Sequence, residues 1–463
     1  MLTTFLIIFL IGYLAIALEH PIKIDKTASA LILGMVLWIC YAFLGDSIVP
    51  IVNGEHFNEY LNSHPELQGE SLAHQTLSYI LNVDIVEHLG DITQTLLFLI
   101  GAMTIVELVD VHGGFRVITD RIVTRNKRKL LWIICVTTFF MSAILDNLTT
   151  TIVMLMLLRK LIDDQKTRWL YAGAIVIAAN SGGAWSPIGD VTTIMLWVKG
   201  NVTAQALISY VLIPSIVSMV IPLLLMGPAL KGELPPISTT KVSDSHITPG
   251  ERKCFFTLGV GGLIFVPIFK TITHLPPFVG MLLVLGLLWI VTEIFYNRKK
   301  VDKSEEYRIP KVISRIDMPS ILFFLGILMA VAVLQSTGVL SWLANELDTS
   351  IHDVYVINTV LGVLSSIVDN VPLVAGVMGM YPISPVGAEG YAANFVVDGT
   401  FWELLSYCAG VGGSILIIGS AAGVIAMGLE KINFGWYLKR FSWLALIGYL
   451  SGIGVYLLEH ILF

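Results

Sequence analysis

Two acid–amide pairs sit inside stretches of this sequence that are otherwise apolar. Asp146-Asn147 lies in Ser142-Ala143-Ile144-Leu145-Asp146-Asn147-Leu148-Thr149-Thr150, and Asp369-Asn370 in Ser366-Ile367-Val368-Asp369-Asn370-Val371-Pro372. A third acid, Asp190, closes the run Asn180-Ser181-Gly182-Gly183-Ala184-Trp185-Ser186-Pro187-Ile188-Gly189-Asp190, with Thr192 and Thr193 just beyond it. These side chains offer oxygen and no soft donor, the ligand chemistry of a hard cation such as sodium. Glycines and a proline in mid-span would free carbonyls, and half-helix ends would add partial charges beside them. A carboxylate inside a membrane is costly unless neutralised or paired, so each is a candidate functional group by default. Such a group holds a proton or a sodium ion, but not both well. Competition at one alternately exposed site is enough to exchange one for the other.

The expected sodium contacts are therefore Asp146, Asn147, Asn180, Asp369 and Asn370, with Asp190, Thr192 and Thr193 on the same side of the site. Close helix packing would account for Gly182-Gly183 alone, but not for aspartates placed beside them. Thr149, Ser181 and Glu107 are candidate pathway residues. Lys199 and Glu293 lie near span ends and are expected to snorkel. Glu403 is expected at an interface; His88 and His112, which flank the span 92–110, are placed to tune a pH response, although lone interfacial histidines are usually solvated. The four cysteines are far apart in apolar segments and suggest neither a disulfide framework nor a metal site. No cofactor and no nucleic-acid partner is implied, and the pattern is that of a carrier, not an enzyme. An intramembrane aspartyl protease also needs paired carboxylates, but its two acids would not be expected at matching positions of a repeat.

Elements able to hold these groups follow from composition. The chain has 463 residues, 55% hydrophobic and 13% charged, about half the charge of a soluble domain; its mean hydropathy is +0.80. Several apolar stretches meet the ~18-residue length needed to cross a bilayer. The first, Leu2 to Leu18, has no Lys or Arg before it, so a retained span is expected instead of a signal peptide. Lys and Arg collect on the cytoplasmic side. None occurs from Leu44 to Asp91, which predicts a long outside loop, whereas the loop 297–318 carries seven and is predicted inside. The segment 131–158 has basic residues at both ends, and 353–381 is flanked by loops with none. Each is predicted to be a re-entrant hairpin, turning at Asp146-Asn147 and at Asp369-Asn370. The segments 169–199 and 402–430 are predicted to be broken spans, and 205–226, 254–270, 277–296, 319–341 and 441–458 to be continuous. Ten full spans and two hairpins would leave both termini outside the cell.

The two halves of the sequence align. Leu97-Phe98-Leu99-Ile100-Gly101 matches Leu322-Phe323-Phe324-Leu325-Gly326 at an offset of 225; the acid–amide pairs match at 223. Gly182-Gly183 with Ile188-Gly189 matches Gly412-Gly413 with Ile418-Gly419 at 230. Opposite charge bias makes the repeats inverted, a recurring build of secondary transporters with ion sites at the repeat interface. The expected fold is thus an all-α polytopic membrane protein of two inverted-topology repeats, 1–226 and 254–463, joined by a cytoplasmic linker 227–253. The halves differ chemically: Asn180 aligns with Gly410 and Asp190 with Ser420, leaving Ser414 and Ser420 as candidate ligands in the second half.

At these motifs the chain resembles the NhaD-type sodium/proton antiporters of the ion transporter superfamily, over essentially its whole length. That resemblance implies exchange of Na+ and Li+ for H+, a homodimer formed through scaffold helices, and a plasma or bacterial inner membrane location. Dicarboxylate and citrate carriers of the same superfamily resemble the architecture but carry Ser-Asn-Thr at the tips. The alternative is an arsenite or organic or inorganic anion transporter on this scaffold. The acids at both tips, with no Lys or Arg near any motif, would repel a dianion, although neutral arsenite escapes that objection. The charge bias is directly testable: cysteines introduced at Asn58 and at Lys160 should react with an impermeant reagent from opposite faces of the membrane. Labelling of both from one face would overturn the predicted topology.

Overall fold

The structure is a computed structural model that describes residues 2–122, 124–230, 232–234, 247–298, 307–367 and 369–462. The described residues are helical, with an isolated bridge between Asn126 and Glu233 as their β pairing. Among the described residues, eight helices are long and apolar enough to cross a membrane. The long helices are α1 (Leu2–Ala17), α2 (Lys26–Leu44), α3 (Ile85–Val111), α4 (Lys127–Leu145), α5 (Asn147–Leu161), α6 (Gln165–Gly183), α7 (Val191–Lys199) and α8 (Leu212–Met226). They continue as α9 (Pro249–Thr273), α10 (Pro277–Arg298), α11 (Met318–Ser336), α12 (Val339–Ser350), α13 (Val354–Leu364), α14 (Asn370–Met380), α15 (Thr400–Gly412), α16 (Ala421–Glu430) and α17 (Ser442–Leu462).

The chain forms two compact units, one of Met1–Leu97, Asp317–Asp353 and Val374–Pro382, the other of Phe98–Ile316, Val354–Leu373 and Ile383–Phe463. Each draws on both sides of the expected linker, so compact units and sequence halves are different divisions of the chain. Within the first unit, α2 packs along α11. Small residues permit the close approach: a Cβ on Gly34 would lie 2.6 Å from the Gly326 carbonyl oxygen. The Trp38 indole N–H donates to the Met329 carbonyl at 3.0 Å, and the Tyr41 hydroxyl donates to Asp84 at 2.7 Å.

Several expected boundaries move. The stretch 44–91 is not an open loop but is largely helical. Its amphipathic helix Gly54–Ser63 buries Phe57 edge-on against Tyr79, with ring centroids 5.6 Å apart. The chain then runs through a π-helical turn, Ile80–Asp84, directly into α3, so the span expected at 92–110 is the last part of a longer helix. The span expected at 319–341 stops at Ser336, because Gly338 adopts φ +76°, and α12 starts afresh. Helix α9 begins at Pro249, where Thr248 and Glu251 form a reciprocal capping box, instead of at 254. Of the expected linker, 235–246 lie outside the described residues, as do Lys299, Lys300 and Lys303 of the basic loop.

The second unit holds the breaks of the four interrupted elements, and these fall at the chemically marked residues. Helix α4 stops because Asp146 takes φ +82°, and the Asp146 carboxylate caps α5 by accepting from the Thr149 N–H at 2.7 Å. Helices α4 and α5 pack against each other; α6 and α7 are separated by 184–190, and α15 and α16 by 413–420. Corresponding contacts recur at the offsets read in the sequence. The Ser142 hydroxyl donates to the Ala179 carbonyl at 2.6 Å, and the Ser365 hydroxyl to the Ala409 carbonyl at 2.7 Å. Gly182 lies against the Phe139 carbonyl as Gly412 lies against that of Gly362, and a Cβ at either glycine would overlap the oxygen. Replacing either by Ala should therefore destabilise the fold by at least ~1–3 kcal/mol, read as a lowered thermal midpoint in detergent. Gly454→Ala, which meets nothing within 4 Å, should leave the midpoint unchanged.

Candidate functional site

The centre of the second unit is a carboxylate surrounded by amides. Asp190 is 1% exposed and stands at the start of α7, where it caps the helix by accepting from the Thr192 N–H at 3.1 Å. The Thr193 hydroxyl closes the cap, accepting from the Asp190 N–H at 3.2 Å and donating to its carbonyl at 2.8 Å. The Asn147 amide, first residue of α5, donates to Asp190 Oδ2 at 2.6 Å. Asn370, first residue of α14, donates to both carboxylate oxygens, at 3.4 and 3.3 Å. The two tips thus meet on one acid. Among the described residues no Lys or Arg pairs with it.

A second layer ties the breaks together. Asn147 also donates to Asn180 Oδ1 at 3.1 Å, and the Asn180 amide donates to the Ser414 and Ser420 hydroxyls at 2.9 and 2.8 Å. Ser420 meanwhile caps α16 by accepting from the Gly423 N–H at 3.2 Å. Asn180 is fully buried in the last turn of α6. Its sequence counterpart is Gly410, so the asymmetry between the halves has a use: one long amide reaches across to two short hydroxyls. Asp146 and Asp369 stand at the rim, half-buried, and both are electrostatic neighbours of Asp190. The Thr149 hydroxyl donates to Asp146 Oδ2 at 2.9 Å, while Asp369 accepts from the Val371 N–H at 3.4 Å.

Asn147, Asn180, Asp190, Asn370, Ser414 and Ser420 thus form one connected network, Thr192 and Thr193 support its acid, and Asp146, Thr149 and Asp369 edge it. Two expected residues stand apart. Ser181 faces α8, accepting from the Ser218 hydroxyl at 2.8 Å. Glu107 is half-buried beside Asp110 and Arg315. Near it, a cavity of about 430 Å³ runs beside α5, lined by Asp110, Asp120, Arg116, Lys160, Arg252 and Ile152 among others. The acids and histidines expected near span ends are packed against neighbours. Glu403 is 1% exposed and accepts from the Tyr456 hydroxyl at 2.8 Å, because packing of α15 on α17 covers it. His112 is fully buried, stacked on Phe255 and 2.7 Å from the Tyr296 hydroxyl. His88 lies 2.9 Å from the Ser336 hydroxyl. Glu293 pairs with Arg308 at 2.7 Å.

One group went unmarked in the sequence. The Thr150 hydroxyl, in the first turn of α5, is buried and has no hydrogen-bond partner, as is that of Thr192. Buried polar atoms are nearly always satisfied; Thr192 lies just after Asp190 in α7, and Thr150 lies in the first turn of α5. The second Thr of the tip motif was the available signal.

The family model described as Citrate transporter (CitMHS) matches residues 13–402 of this chain. Sodium/proton antiporter 1 of Arabidopsis thaliana is 41% identical over 98% of this chain and 72% of its own length. Sodium/proton antiporter 2 of the same plant is 41% identical over 98% of this chain and 99% of its own. The Na(+)/H(+) antiporter NhaD of Vibrio cholerae is 28% identical over 98% of this chain and 91% of its own length.

The network also predicts a stability hierarchy. Asn180→Ala strands two buried hydroxyls and one amide and should cost about 1–3 kcal/mol. Ser420→Ala loses one partner and one cap and should cost about 1 kcal/mol. Thermal unfolding of purified protein checks the order, and a larger loss for Ser420→Ala would contradict it.

Proposed function

This chain belongs to the citrate-transporter family and, within it, to the NhaD-type sodium/proton antiporters, and on that premise we propose that it exchanges Na+, and Li+, for H+ by alternating access. The observation that carries the reading is Asp190, a buried carboxylate held by amides and a helix N-terminus instead of by a basic group. Such a group retains its affinity for a cation, because no resident Lys or Arg has neutralised it. Asn147 and Asn370 use their Nδ2 atoms on Asp190, which leaves amide oxygens for an ion. Asp146, Asp369, Thr192 and Thr150 bring further oxygens. The same acids disfavour a citrate-like anion, despite the name of the family model.

In this mechanism a proton on Asp190 neutralises the charge that Asn147 and Asn370 otherwise compensate. Sodium arriving between the tips takes the carboxylate and the amide oxygens, and the proton leaves. Asp146 and Asp369, at the rim, exchange protons with the aqueous openings. If Asp146 and Asp190 both discharge, one sodium replaces two protons and the cycle moves charge. The inverted repeats, the re-entrant placement of the α4–α5 tip, a homodimer through scaffold helices, a plasma or inner membrane location and extracytoplasmic termini belong to the same proposal. Helix α4 alone has the length of a span, so the re-entrant placement rests on the basic residues at both hairpin ends.

The test uses vesicles containing only this protein. Asp146→Asn and Asp369→Asn should each abolish sodium-driven proton movement in folded protein. Asp190→Asn should weaken the apparent sodium constant by at least ~10-fold, about 1.4 kcal/mol, with a smaller effect from Ser420→Ala. Parental exchange by Asp369→Asn would remove that residue from the mechanism, and exchange indifferent to an imposed membrane potential would exclude the two-proton cycle.

A further inference from the structure

Helices α5 and α16 pack against each other and both begin at the site: Asn147 opens one and Ser420 caps the other. Their opposite ends are joined by ions. Glu430, the last residue of α16, has a side chain that is 0% exposed. Its Oε1 accepts from Arg159 Nε of α5 at 2.7 Å, and its Oε2 from Arg168 Nε of α6 at 2.8 Å. Its backbone carbonyl accepts from the Trp169 indole at 2.8 Å and from the Gln165 amide at 3.2 Å. Arg159 also donates to the Leu429 carbonyl, and Arg168 to those of Ile162 and Asp163 at 2.9 and 2.7 Å. Both guanidiniums therefore sit on helix C-termini, where the backbone dipoles favour positive charge.

The cluster is one-sided. At the offset of 223 the counterpart of Arg159 is Pro382, and at 230 that of Glu430 is Gly200. Arg168 falls, at either offset, on Tyr391 or Asp398, and 391–401 contain no Lys or Arg. In a carrier built of inverted repeats the two end states are approximate images of each other. A buried ion cluster with an image on neither helix breaks that equivalence.

We infer that Glu430, Arg159 and Arg168 form an ionic lock for the transport cycle: it holds the far ends of α5 and α16 together, and it must open for the site to face the side on which the lock lies. These are positioning residues, acting through Asn147 and Ser420. A fully buried carboxylate tolerates loss of its partners poorly, so opening the lock must bring water to Glu430 itself. The inference rests on the exchange reading above, and its consequence is a sidedness of ion affinity that neutralisation removes.

The experiment compares right-side-out and inverted vesicles and takes the ratio of apparent sodium constants at the two faces. The parent is measured first; if it moves no protons in response to sodium, the exchange reading fails and the lock with it. In an active parent, Glu430→Gln should populate the state open at the locked face. Sodium affinity should tighten there and weaken at the other face, changing the ratio by at least ~10-fold, within the usual range of conformational coupling. Glu430→Asp, which keeps the charge, should recover most of the parental ratio. Arg159→Gln leaves Arg168 in place, should fold if Glu430→Gln does not, and should shift the ratio in the same direction by less. A purely structural role would lower the thermal midpoint and the yield while leaving the ratio untouched. An unchanged ratio in folded Glu430→Gln, or in Arg159→Gln where only that variant folds, overturns the lock while leaving the exchange reading intact.

Discussion

Holding one carboxylate in an apolar interior, with no cationic partner among the described residues, is the constraint around which the second unit is arranged. Asp190 receives two side-chain amides and one backbone N–H. Dipoles of this kind lower the cost of burying a carboxylate without cancelling its charge. A lysine or arginine would satisfy the acid better and, on the exchange proposed above, end its use for cations. The rest of the second unit follows from delivering those dipoles. Helices must start at the site, so spans must break there; the breaks need glycines for close approach and serines to satisfy the freed carbonyls. Ser142, Ser186 and Ser365 do this, donating to Ala179, Ala143 and Ala409.

Much of this was legible in the sequence because it depends on residue types that have no other place in apolar segments. Helix breaks at the acid–amide pairs and at 184–190 and 413–420, and contacts between Asn180 and the hydroxyls of Ser414 and Ser420, fall at the expected positions. The hierarchy among the acids was not legible. Matching tip positions draw attention to Asp146 and Asp369, yet the acid at which both tips converge is Asp190, because the amide beside each tip acid, not the acid itself, points inward. Which of two adjacent polar residues turns into a core depends on backbone angles at the break. The φ of +82° at Asp146 cannot be read from composition.

The errors share a cause. Nearness to span ends suggests an interface for Glu403 and solvent for His112 and His88, but packing covers Glu403 and His112 and half-covers His88. The stretch 44–91 was read as a loop for lack of basic residues, although charge bias reports sidedness and says nothing of local structure. Glu430 escaped notice for the converse reason: its partners, Arg159 and Arg168, lie some 260–270 residues earlier, and their charges had already been counted as markers of the cytoplasmic side.

The name of the matching family and those of the curated relatives point to opposite charges, citrate against sodium, and a site whose buried acid is paired with no Lys or Arg among the described residues favours sodium on electrostatic grounds. The direct test is dissipation of a preformed pH gradient in vesicles containing only this protein. Sodium chloride should collapse the gradient and potassium citrate should not. Collapse by potassium citrate without sodium, or indifference to both salts, would contradict the account.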